Sequence, residues 1–220
     1  TEHGCTNLRR EGIPEEKIFL VGDVMIDTLL KYQKRAAQTL ILKEMGLVQK
    51  SYALMTMHRP HNVDIKENLI TVLDAIDQVQ KQIPLVFSMH PRTRKRIKEF
   101  QLENRVSSMK NLTVIEPVGY LRFLNLMMHA KFVITDSGGM QEETTVLNIP
   151  CLTLRENTER PETIDEGTNT LVGNNAQRII AESFKILDGH GKTGTYPELW
   201  DGHTAERIVS ILNRKGNRES

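Results

Sequence analysis

The stretch KFVITDSGGMQEETTVLNIPCLTLR, residues 131–155, reads as one complete strand–helix–strand unit. KFVITDS (131–137) is an apolar run of the kind that is covered on both faces, as central parallel strands are. MQEETTVLN (140–148) then takes up a spacing near 3.6 residues, and Pro150 stops the helix just before CLTLR (151–155), a second strand. Two strands joined by a helix run the same way and need a right-handed crossover, so this one unit already argues for a parallel sheet.

The rest of the chain repeats the alternation. Further strand candidates are KIFLVG (17–22), YALMTMH (52–58), LVFSMH (85–90), LTVIEPV (112–118) and TLVG (170–173). Helical spacing recurs in residues 65–83, with apolar positions at 65, 69, 72, 73, 76, 79 and 83, and again in 120–130 and 176–187. Pro84 ends the first of these just before a strand. The fold class is therefore α/β: a doubly wound parallel, Rossmann-like sheet over residues 51–190. Residues 23–50 read as a connecting helix or helix pair, and a last helix lies within 191–220.

Composition excludes several classes. The 220 residues are 39% hydrophobic and 26% charged, with a formal net charge of +1, so no global pull toward nucleic acid or a membrane surface exists. No apolar stretch approaches the roughly 18–20 residues needed to span a bilayer. Cys5 and Cys151 form no Cys-x-x-Cys pattern, and neither a disulfide framework nor a zinc site follows; a reducing cytoplasm fits. The first residues lack the apolar core of a signal peptide, and a chain that opens without methionine reads as a piece of a longer one.

In an open α/β sheet the ligand lies beyond the carboxyl ends of the strands. That rule brings four distant segments to one rim: His58 and its followers, His90-Pro91-Arg92, Pro117-Val118-Gly119-Tyr120, and Asp136-Ser137-Gly138-Gly139. Ser137-Gly138-Gly139 at a helix start is either an anion cradle of bare amides or a tight turn with Ser137 as the cap. A helix N-terminus supplies only about 0.3–1 kcal/mol per nearby charge, too little to hold a diphosphate. Charge-assisted bonds of about 1.5–3 kcal/mol each are needed as well, and His58, Arg59, His90, Arg92 and Arg160 are the candidates. Glu142 and Glu143 complement the helix dipole, or one of them accepts the hydroxyls of a ribose; neighbours on a helix point about 100° apart, so at most one faces a site. His58 is a phosphate donor, a proton-transfer group or a hydrogen-bonded structural histidine. Tyr120 and Phe123 pack in the core by default, with Phe123 or the backbone of Val118 able to meet a base. HPRTRKR (90–96) lacks interleaved aromatics and reads as a solvated helix start rather than a nucleic-acid patch.

Taken together, TMHRPHNVD, MHPRT, PVGYLRFLNLM, TDSGGMQEE, TERPETIDEGTNTLVG and DGHTAERIV resemble the non-hydrolysing UDP-N-acetylglucosamine 2-epimerases almost end to end. The resemblance implies the C-terminal domain of a GT-B-type enzyme, with the nucleotide sugar in the cleft between two Rossmann-like domains. It implies interconversion of UDP-GlcNAc and UDP-ManNAc by anti elimination of UDP to 2-acetamidoglucal and re-addition on the opposite face. No redox or metal cofactor is implied, and members are commonly homodimers. Carried over by motif, Ser137, Gly138 and Gly139 bind the diphosphate, Glu143 the ribose hydroxyls, and Arg160 a phosphate or the sugar region. Val118 (through its backbone) and Phe123 lie at the uracil. His58 sits at the phosphate–sugar junction as the catalytic candidate, with His90 nearby in a region where some bacterial members bind a second, activating UDP-GlcNAc.

The departures are also informative. The family usually reads His-Arg-x-Glu-Asn, and His61 here replaces the acid. Residues 1–22 resemble the closing segment of the N-terminal domain, whose proton-transfer carboxylates are not in this sequence. A base must lie within about 3 Å of the proton it removes, so the 220 residues are expected to hold UDP weakly without epimerising. The last helix normally returns to that domain, so Ile208, Ile211 and Leu212 are expected to be partly uncovered. A GT-B glycosyltransferase with a UDP-sugar donor, a hydrolysing epimerase and a non-catalytic nucleotide-sugar module are the alternatives.

Overall fold

The computed structural model of the protein describes residues 1–216; the last four residues of the expected C-terminal segment 191–220 lie outside them. Six strands form one sheet: β1 (Ala53–Met55), β2 (Leu85–Ser88), β3 (Leu112–Ile115), β4 (Phe132–Thr135), β5 (Cys151–Thr153) and β6 (Asn169–Leu171). Their order is β3-β2-β1-β4-β5-β6, with every neighbouring pair parallel. The chain winds outward from β1 to β3, returns to the middle at β4 and winds outward again to β6. The sheet is the doubly wound Rossmann-like one that the alternation predicts.

Side-chain alternation explains why these strands are apolar throughout. Ala53, Met55, Leu85, Phe87, Phe132 and Ile134 belong to one buried cluster, while Leu54, Val86 and Val133 belong to another on the opposite face. Helices α1 (Glu2–Arg10), α2 (Val24–Ala37) and α3 (Ile41–Glu44) precede the sheet. Then follow α4 (Pro60–Val63), α5 (Lys66–Val79), α6 (Pro91–Glu99), α7 (Glu103–Ser107), α8 (Tyr120–His129), α9 (Gly138–Val146), α10 (Glu162–Asp165), α11 (Ala176–Lys185) and α12 (Thr204–Gly216). Helices α5, α6, α7 and α11 cover the first face; α2, α3, α8 and α9 cover the second. Within α5, Leu69, Val72, Leu73, Ile76 and Val79 are buried, the stripe that a 3.6-residue period places on one side. Ile65, expected on that stripe, is the N-cap and is exposed.

Two segments differ from expectation or sharpen it. KIFLVG (17–22) is not a strand: a short 3-10 turn at Glu15–Lys17 runs into irregular backbone, and no strand among the described residues precedes β1. Only Ile18 of that run is buried, and Phe19 is exposed. Apolarity predicted a strand, but a strand also needs a neighbour to complete its ladder, and among the described residues no strand pairs with this run. Residues 24–47 form a helix pair, α2 and α3, whose Ile26, Leu29, Ala36 and Ile41 are part of the sheet's second core.

The crossing of α2 with α12 is tight. Asp27 of α2 accepts from the backbone N–H of Thr204 at 3.1 Å and of Ala205 at 2.7 Å, capping α12 from another helix. Gly22 has φ +99°, and a Cβ there would lie 2.2 Å from the Leu199 carbonyl oxygen. On α12, Ile208, Val209 and Leu212 are exposed, as the sequence predicts for Ile208 and Leu212, and Ile211 is half-buried. The two edge strands are short, and at β6 the Lys192 ammonium donates to the Asn169 carbonyl at 3.2 Å. No helix among the described residues is long and apolar enough to cross a membrane.

Candidate functional site

The reversal between β1 and β4 opens a crevice at their carboxyl ends, the position where α/β sheets bind ligands. Asp136, the first residue after β4, is fully buried there. It accepts from the backbone N–H of His58 at 3.0 and 3.1 Å, from that of Arg59 at 2.8 Å and from the Asn62 amide at 3.0 Å. Burial pushes this carboxyl up, but the bonds from His58, Arg59 and Asn62 outweigh it and hold the group below its ordinary value. Asn62 donates also to the Leu154 carbonyl at 2.9 Å, so one ionised side chain ties the ends of β1, β4 and β5 together.

The same carboxylate lies 3.1 Å from His58 Nδ1. That contact puts a proton on Nδ1 and leaves Nε2 of the half-buried ring uncommitted among the described residues. His90 stands beside it, the ring centroids 5.4 Å apart, and its Nδ1 accepts from the Arg92 backbone to cap α6. Arg92 itself is held by Asp64 through a short ion pair, which Arg96 shares at 2.8 Å. Of the proposed phosphate cations, Arg92 is thus already spent on an acid of the neighbouring loop, and HPRTRKR is an ion-paired helix start.

Ser137, Gly138 and Gly139 open α9. Ser137 occupies the N-cap position, yet its hydroxyl caps nothing. Neither glycine has a positive φ. A Cβ on Gly138 would meet nothing within 4 Å, and one on Gly139 would make only ordinary contact with Met25 at 3.5 Å. Neither backbone conformation nor packing therefore calls for glycine here. The pair keeps the space before the helix amides clear, as close approach of an anion requires.

Both acids of α9 are buried, and they have different partners. Glu143 accepts from the Tyr120 hydroxyl at 2.8 Å. Glu142 meets Arg160 Nε in a short ion pair. Burial and the nearby Asp23 carboxylate push Glu142 up to about 7, against the opposing pull of Arg160. A proton bound more tightly in the folded chain favours folding at low pH, and that advantage is lost as pH rises from about 4.5 through 7. With allowance for solvent around Arg160, stability should fall by about 2 kcal/mol across that window on this account. Urea unfolding of the wild type and of Glu142→Gln between pH 5 and pH 8 checks this: the substitution should flatten the slope.

Val118 and Phe123 each pack partly against the second core. No backbone hydrogen bond among the described residues engages Val118, which leaves its amide and carbonyl open. Arg160 reaches the same helix as the glycines through Glu142, and His58 reaches its start through Asp136. The structure thus brings His58, His90, Ser137, Gly138, Gly139, Glu143 and Arg160 to one rim. Sequence reasoning missed the bonding of Asp136 and the Tyr120–Glu143 and Arg160–Glu142 pairs. An acid directly after an apolar strand was the available signal for the first; the pairs left none.

Residues 1–213 match the family model described as UDP-N-acetylglucosamine 2-epimerase. The chain belongs to this family. The UDP-N-acetylglucosamine 2-epimerase of Methanocaldococcus jannaschii is 42% identical over 217 residues, covering 96% of this chain and 59% of the relative. The crystal structure of the M. jannaschii enzyme in complex with UDP-GlcNAc and UDP matches with a TM-score of 0.88 at 43% identity, covering 97% of this chain and 59% of that one. A UDP-2,3-diacetamido-2,3-dideoxy-D-glucuronate 2-epimerase of Pseudomonas aeruginosa is 38% identical over 215 residues, covering 96% of this chain and 58% of the relative. The chain spans about 59% of the length of the curated M. jannaschii epimerase. The fold of this chain is accordingly that of the matching part of the epimerase structures.

Proposed function

We propose that this chain carries the UDP-binding rim of a UDP-N-acetylglucosamine 2-epimerase, which eliminates UDP from UDP-GlcNAc and re-adds it to give UDP-ManNAc. The observation that carries this reading is the unobstructed start of α9: two glycines with no conformational or steric reason to be there, beside a serine hydroxyl that caps nothing. In this reading Ser137, Gly138 and Gly139 hold the diphosphate, with Arg160 closing on it. Glu143 takes the ribose diol, and Val118 and Phe123 take the base. His58 stands at the phosphate–sugar junction, oriented by Asp136, as a proton-transfer group working through Nε2; His90 borders it. Residues 1–22 and 191–220 would flank the nucleotide domain, 51–190, on the side of a second domain. A UDP-diacetamidoglucuronate epimerase at 38% identity supports a rim that reads UDP and leaves the choice of sugar to other contacts.

Elimination also requires removal of the C2 proton. Asp136, Glu142 and Glu143 are each engaged by hydrogen bonds or an ion pair, so we assign that step to carboxylates beyond the rim. Calorimetric titration with UDP tests the binding assignment. Glu143→Ala should weaken binding about tenfold and Ser137→Ala about fivefold, the effect of losing charged and neutral hydrogen bonds respectively. If neither change costs about 1 kcal/mol, the assignment is wrong. The same 220-residue preparation should yield no measurable UDP-ManNAc from UDP-GlcNAc.

A further inference from the structure

Tyr120 opens α8 with its ring at the surface, 39% exposed, so core packing does not account for it. Its hydroxyl donates to Glu143 Oε1 at 2.8 Å, the only hydrogen bond to that buried carboxylate among the described residues. A carboxylate offers about four lone-pair sites on two oxygens, so one phenol leaves room for two further donors, one on each oxygen. We propose that Tyr120 is a positioning residue: its hydroxyl aims the Glu143 carboxylate so that both oxygens meet a 2′,3′-diol, and the pair makes the site select ribonucleotides over 2′-deoxyribonucleotides. The inference rests on the UDP reading above and names the group that sets its ribose discrimination.

The charged surroundings make the phenol necessary. Burial raises Glu143 toward its neutral form, Tyr120 opposes that, and Asp23 at the start of α2 adds to it. Glu142, next along α9, is taken up by Arg160. No cation is hydrogen-bonded to Glu143 among the described residues, so the phenol is the partner that aims it and favours its charged form. A protonated Glu143 would present a hydroxyl donor to one of the ribose hydroxyls and lose an acceptor.

Tyr120→Phe keeps the ring and removes the donor, at a position exposed enough to spare the fold. UDP and 2′-deoxy-UDP are titrated into the full chain, wild type and variant, at pH 7.5 and pH 6. The wild type should prefer UDP by about tenfold, and the variant should lose UDP affinity about fivefold at pH 7.5, while 2′-deoxy-UDP affinity changes by less than about twofold. Lowering the pH should deepen the variant's loss, because without the phenol its Glu143 binds a proton more readily. If the wild type binds both nucleotides equally, the ribose role of Glu143 is itself wrong. If the wild type discriminates and Tyr120→Phe leaves the ratio unchanged at both pH values, Glu143 needs no help and the proposal fails.

Discussion

Asp136→Ala should destabilise the fold by about 3–5 kcal/mol, because it strips partners from several buried donors at once. The amides of His58 and Arg59 and the side chain of Asn62 all converge on this one carboxylate. Each orphaned group costs about 1–3 kcal/mol, and water entering the cavity recovers part of the sum. Asp136→Asn separates structure from chemistry. It keeps the volume but points an amide N–H at donors, at a cost of about 2 kcal/mol, and it donates to His58 Nδ1 where the carboxylate accepted. The imidazole then carries its proton on Nε2 and faces the rim as a donor only. Urea unfolding gives the stability change, and nitrogen chemical shifts of His58 report the tautomer. A loss below about 1 kcal/mol in Asp136→Ala would show that the carboxylate does not tie the strand ends together.

Two glycines should give opposite results. At Gly22, alanine would have to hold φ +99° while its methyl lies 2.2 Å from the Leu199 carbonyl oxygen and 2.8 Å from Thr204 Oγ1. The nearest obstacle is the backbone of the turn that leads into α12, so that turn must shift, at a cost of about 2–4 kcal/mol. Gly138→Ala meets nothing within 4 Å and no positive φ, and should leave stability within about 0.5 kcal/mol of wild type. Its methyl would instead stand before the amides of α9 and weaken UDP binding at least about tenfold. Thermal melts and UDP titrations on both variants check the pair. A stable Gly22→Ala, or a Gly138→Ala that binds UDP normally, would contradict the geometry described.

The sheet was legible because its strands are covered twice. Residues such as Leu54, Val86 and Val133 face one core while their neighbours face the other, and this leaves uninterrupted apolar runs in the sequence. The same signal misled at residues 17–22, since apolarity does not record whether a partner strand lies alongside. The rim was legible through a topological rule: parallel strands end on one edge, so His58, His90, Val118 and Ser137 had to come together. Pairing was not legible. Tyr120 and Glu143 are 23 positions apart, and Arg92 meets Asp64 across 28, with no local pattern to join them. Which acid serves a ligand and which serves an arginine depends on helix rotation and loop path, which only coordinates supply.

The sheet's outer margins carry a consequence for how the molecule behaves in company. A bare strand margin invites another chain to add itself, the first step toward fibres. β3 is four residues long, carries an exposed Thr113 and runs into Glu116 and Pro117; β6 is three long, and Lys192 occupies one of its carbonyls. Neither margin is a usable template, so concentrated preparations should resist sideways growth, and any self-association should engage helices.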